Sequence, residues 1–171
     1  EDIQAHFQQG NGLADTADDV PPVANEVTTR QVDPTDNVTP SGWAATLDAA
    51  ITYSALSNDQ QLREWAERLM PALIPLVSTH TRFAGWSGSV LAMWLDGPRE
   101  VALAASADSD FKKLVVLGTS PGLVYAWNHD QPLLQGRAKQ NEADTAFVCR
   151  GFVCQAPITS AEEFKKAIGW K

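Results

Sequence analysis

The apolar residues of this chain recur at helical spacing up to Gly97-Pro98 and in short strand-length runs after it. That change of period constrains the fold more than any other feature, because one segment cannot satisfy both patterns. Upstream, Thr39 offers an N-cap with Pro40 at the first helical position, and Ala44, Leu47, Ala50 and Ile51 return on one face. The helix is expected to stop near Ser57-Asn58-Asp59. Ser57 with Gln60 three residues on reads as a capping box that opens a second helix. In it Leu62, Trp65, Leu69, Leu73 and Leu76 keep the helical spacing, while Pro71 and Pro75 remove backbone donors and should kink or shorten its second half. A third helix, about 83 to 95, carries Phe83, Trp86, Val90 and Met93 or Trp94. The short connections imply antiparallel helical hairpins.

Downstream, residues 101 to 105 form an apolar run of strand length, 108 to 117 read as a helix with Phe111, Leu114 and Val115 inward, and Pro121-Gly122 marks a turn. A second strand is expected over 123 to 127. A third runs from Thr145 to Cys149 and could continue through Phe152 and Val153. Thr159 or Ser160, each followed three residues later by Glu, caps a last helix to about Ile168. The strand–helix–strand order favours parallel pairing of the first two strands, since the helix supplies the crossover. The fold class expected is mixed α+β, with helical hairpins followed by a small sheet with flanking helices.

Three segments follow: an irregular acidic arm over 1 to 38 with a short helix from Ile3 to Gln9, the hairpins over 39 to 96, and a small α/β part over 97 to 171. Pro21-Pro22 and Asp33-Pro34 break the arm, and a structureless stretch of that length usually packs on something or works as a loop. The net charge is −8, and residues 1 to 36 hold eight acidic groups against Arg30 alone. The remainder is almost neutral, and no basic patch forms, which argues against nucleic acid or an anionic membrane as partner. No apolar run is long enough for a bilayer. The opening Glu1-Asp2-Ile3-Gln4 lacks the features of a secretory signal and starts inside a helix, so the chain is expected to be a piece of a longer one. Only two cysteines, Cys149 and Cys154, are present, which fits a reducing compartment such as the cytoplasm better than a disulfide framework.

Three strings, Asp15-Thr16-Ala17-Asp18-Asp19, the run from Asp33 to Trp43 (DPTDNVTPSGW), and the run from Ala146 to Pro157 (AFVCRGFVCQAP), carry a family resemblance. From Asp15 to its end the chain resembles the C-terminal region of the thioredoxin-domain-containing, spermatogenesis-associated family. Long members of that family join an N-terminal thioredoxin-like domain to an (α/α) toroid. The resemblance implies that the hairpins close an incomplete toroid similar to N-acylglucosamine epimerases and six-hairpin glycosidases, which bind sugars at the barrel mouth. It also implies a redox domain upstream. Fold analogy alone supplies no reaction.

Glycoside chemistry and epimerisation both need two carboxyl groups of differing pKa. Asp15 and Asp36 are the catalytic candidates, with Asp18 and Asp19 beside them, and Asn37, Ser41 and Trp43 are candidate contacts to a sugar-like ligand at a helix start. The plainer alternative is that these aspartates fix turns and caps and that Trp43 and Trp86 belong to the core. Cys149 and Cys154 read first as free thiols, next as a disulfide that would need a bend at Arg150-Gly151, and last as part of a metal site, for which two thiolates are too few. They are also the candidate redox pair. No metal or cofactor is expected. His6, His80 and His129 are scattered, and no nucleophile elbow, phosphate loop or zinc-protease helix is present. The leading expectation is a non-catalytic C-terminal part of a larger protein. The alternatives are a carbohydrate-active enzyme or a thiol pair exchanging with the upstream domain. Apolar helix faces left bare would favour self-association.

Overall fold

The computed structural model describes residues 2–21, 30–118, 122–127, 131–151 and 153–170. Glu1, Pro22, Pro121, His129 and Phe152, each named above, lie outside them. The architecture is mixed α+β. No helix among the described residues is long and apolar enough to cross a membrane. Two compact units divide the chain: Glu1–Ala50 with Glu64–Ala92, and Ile51–Arg63 with Met93–Lys171.

The N-terminal helix α1 spans Asp2–His6 and is shorter than its sequence period suggests. Gly10-Asn11 explains the difference. Gly10 takes φ of +59°, which lets a two-residue turn fold strand β1 (Gln8–Gln9) onto β2 (Gly12–Leu13) with Gln8 opposite Leu13. Helix α2 (Gly42–Ser57) begins later than Thr39-Pro40 predicts. Ser41 caps it: the hydroxyl accepts the Ala44 N–H at 3.1 Å, while Thr39 offers its carbonyl to the Asn37 N–H. Helix α3 (Gln60–Leu69) is capped by Asp59, which accepts the Leu62 N–H at 2.9 Å, and not by Ser57, whose hydroxyl donates to the Tyr53 carbonyl within α2. Pro71 and Pro75 divide the predicted second helix outright. A 3-10 turn, Met70–Leu73, takes the first proline, and α4 (Ile74–Thr79) takes the second in its first turn, where no backbone donor is needed. Helix α5 follows over Gly85–Asp96.

The second unit is built on a sheet of order β4-β3-β5-β6, with β3 at Arg99–Ala104, β4 at Leu123–Ala126, β5 at Thr145–Arg150 and β6 at Val153–Cys154. Strands β3 and β4 pair in parallel, as the crossover helix α6 (Asp110–Leu117) requires, and β5 runs antiparallel to β3. One face carries Val101, Leu103, Ala146 and Val148 under Phe111, Leu114 and Val115 of α6 and under Phe164 of the last helix, α7 (Ala161–Ala167). Phe111 and Phe164 meet edge to face at 5.1 Å. The opposite face buries Ala102 and Ala126 against Leu133 and Leu134.

Asp144 ties the entry of β5 to the exit of β3. It pairs with Lys139 at 2.7 Å and accepts the Ser106 N–H at 3.0 Å. Lys139 is the largest cause, followed by hydroxyl and N–H donors of Ser109 and Ser106, holding its carboxyl down at about 2. The folded value is depressed, so this stabilisation is complete above the unfolded value of 3.8 and fades as pH falls toward 2. Asp144→Asn is expected to lower stability by about 0.5–1 kcal/mol at pH 7, the range for a partly solvated pair. Thermal melts between pH 5 and pH 2 should then lose part of the acid sensitivity of the unmodified chain; an unchanged profile would remove Asp144 as its source.

Candidate functional site

Asp36 is buried, with 6% of its surface exposed, and it acts on the backbone. One carboxylate oxygen accepts the Ser41 N–H at 2.9 Å, and the other accepts the N–H groups of Trp86 and Ser87 at 2.8 and 3.3 Å. The Asp36 N–H in turn donates to the Phe83 carbonyl. The carboxylate therefore caps α5 from a distant loop. Ser41 is the N-cap of α2, Trp43 is buried, and Asn37 is exposed. Gly12 passes close to the Trp43 ring: a Cβ there would sit 3.1 Å from it and 3.0 Å from Val32. Trp43 is thus core packing, while Trp86 is half exposed.

Asp15 makes no part of the Asp36 cap. It lines a cavity of about 350 Å³ with Ile3, Phe7, Leu13, Ala14, Gly42 and Thr46. Its carboxyl is raised above the ordinary range, first by partial burial and then by the nearby Asp33 charge. Asp33 is held low by the Thr35 hydroxyl and N–H. Asp18 bonds His6 at 2.8 Å, which lowers the aspartate and raises the imidazole. Asp19 completes a group whose ligand atoms lie within 4.8 Å of one another. His6, read above as scattered, is satisfied by a carboxylate twelve residues away that spacing alone does not point to. Asp48 also escaped the sequence reading. It is the single charged residue of α2, and its partial burial raises its carboxyl.

The cysteines are joined. Cys149 and Cys154 form a disulfide, which corrects the expectation of free thiols. One continuous strand would place residues five apart on opposite faces. Gly151, with φ of +57°, instead turns the chain back so that β6 pairs with β5 and Cys149 lies directly opposite Cys154. The two ends differ in access: Cys149 is 1% exposed, whereas Cys154 is at the surface.

One charged group, Arg137, contacts the bond directly. Arg137 reaches it because Gly136, at φ of +73°, turns the chain after the Pro132–Leu134 turn. One Arg137 nitrogen lies 3.1 Å from the Cys154 sulfur and 3.7 Å from the Cys149 sulfur, and another donates to the Leu133 carbonyl. Across β3, Glu100 pairs with Cys149 in the strand register and is wholly buried. Arg63 meets its carboxylate at 3.1 Å. Arg150, next to Cys149, bonds the carboxylate and the carbonyl of Asp96, and Asp96 also pairs with Arg99. A disulfide with one buried and one exposed sulfur, under a guanidinium, can accept attack on the outer sulfur and release the inner one as a stabilised thiolate.

The chain matches no family model, no curated protein and no solved structure.

Proposed function

We propose that this chain is a thiol–disulfide exchange module of a larger redox protein, the Cys149–Cys154 pair taking electrons from a partner dithiol. The family resemblance supplies the partner, a thioredoxin-like domain upstream in the same parent chain. The observation that carries the reading is the Arg137 guanidinium on a bond whose outer residue, Cys154, is exposed. A partner thiolate attacks the Cys154 sulfur. A mixed disulfide forms, the Cys149–Cys154 bond breaks, and Cys149 leaves as a thiolate beside Arg137. The partner's second thiolate then attacks its own sulfur in the mixed disulfide and releases Cys154 as a thiolate. Two electrons have passed to the cysteine pair, and the partner holds the disulfide.

Membership of a larger assembly is supported by apolar side chains left in solvent in the first unit: Val38 at 95%, Phe83 at 52% and Trp86 at 50% exposure. The carbohydrate-active reading has less to draw on, because Asp36, Ser41 and Trp43 are engaged in capping and packing.

Reduction by dithiothreitol, followed by thiol trapping and mass spectrometry, tests the exchange. The native pair should be reduced faster than the same bond in a CRGFVC peptide, and Arg137→Gln should slow it by about three- to tenfold, since a poorer leaving thiolate departs more slowly. Cys149→Ser, with Cys154 first converted to its mixed disulfide with thionitrobenzoate, should be attacked at Cys154 by a thioredoxin-type partner holding a single cysteine, forming a stable mixed disulfide and releasing thionitrobenzoate. Equal rates for protein, peptide and Arg137→Gln would dismiss the proposal.

A further inference from the structure

We infer that the cavity lined by Asp15 binds a small primary or secondary amine with a compact apolar body, the ammonium paired with the Asp15 carboxylate. The site is in the first unit and is independent of the disulfide. At about 350 Å³ it falls at the small end of the range for ligand clefts. Its walls are apolar: Ile3, Phe7, Leu13 and Ala14, the last two buried. Among the described residues its polar side chains are Asp15 and Thr46.

That pairing selects among ligands. Among the described residues no lining side chain is cationic, so there an anion meets only a carboxylate. The Asp33 charge lies close enough to act on the Asp15 carboxylate, so this wall carries two negative charges. Arg30, a base of the same segment, donates to the carbonyls of His6 and Thr16, the neighbours of Phe7 and Asp15 in the chain. An ammonium carries the donors that a carboxylate and a threonine hydroxyl accept, whereas a quaternary amine carries none. A sugar would leave the apolar walls against its hydroxyls. The raised Asp15 carboxyl agrees with partial desolvation of an acid that lacks a full counter-charge.

Calorimetry and backbone amide NMR with cyclohexylmethylamine, its neutral isostere cyclohexylmethanol, and glucose distinguish the classes. The amine should bind with shifts at Leu13, Ala14 and Thr46, and the alcohol about tenfold more weakly, the size of one charge-assisted contact at a half-exposed site. Asp15→Asn, a surface change, should erase that preference and leave the fold intact. Thr46→Trp should block the cavity to both. Equal binding of amine and alcohol, glucose in place of the amine, or no binding at millimolar concentration would each overturn the assignment, and none of them bears on the exchange at Cys154.

Discussion

Arg63→Met is expected to destabilise the second unit by about 3 kcal/mol, the lower end of the cost of breaking a buried ion pair. Glu100 has no exposed surface, and Arg63 is 3.1 Å from its carboxylate with 11% of its own side chain exposed. Removing the guanidinium leaves a carboxylate in the sheet without the Arg63 counter-charge, and a buried acid either takes up a proton or draws in water. Both residues make further interactions, which is why the lower figure applies. The double variant Arg63→Met/Glu100→Leu should recover most of the loss, because it removes the desolvated charges together. Urea unfolding of the two variants measures this. A single variant within 0.5 kcal/mol of the parent, or a double variant no better than the single, would show that the pair does not hold this face together.

The same variants separate structure from redox chemistry. Glu100 is the register partner of Cys149, so a loosened β3 would be felt across the strand pair. If Arg63 acts only through packing, dithiothreitol reduction of the disulfide should change in step with stability. Arg137 contacts the sulfurs directly, and Arg137→Gln should slow exchange with little change in unfolding.

Periodicity made the sheet legible. Parallel β3 and β4, the inward Phe111, Leu114 and Val115, and the Ser160 cap of α7 all follow from spacing and side-chain type. Helix boundaries were less so, because several residues near each start can cap it. Thr39, Ser41 and Asp36 all precede α2, and only tertiary contacts decide that Ser41 caps it while Asp36 is drawn to α5. The cysteine pair was misread for a different reason. A strand and a hairpin share the same alternation, and the deciding feature is the backbone conformation of Gly151. Arg137 lies 12 and 17 residues from the sulfurs it touches, and no local pattern joins them. Glu100 carried a usable signal, as a lone acid entering an apolar strand.

Asp36→Ala should cost about 2–3 kcal/mol, as a buried acceptor serving several backbone donors is worth more than one exposed cap. Three N–H groups lose their partner: Ser41 ahead of α2, and Trp86 and Ser87 in the first turn of α5. The carboxylate also lies at the positive end of α5, where an anion stabilises the helix. Asp36→Asn keeps one acceptor oxygen and should retain about half of that stability, by the same count of donors served. A ligand-binding or catalytic Asp36 would behave differently, since Asn and Ala would then impair binding while leaving the fold nearly unchanged. Thermal melts and far-ultraviolet circular dichroism of both variants decide between these roles. A melting temperature for Asp36→Ala equal to that of the parent would end the structural account, and a graded loss from Asn to Ala would place this aspartate with the scaffold.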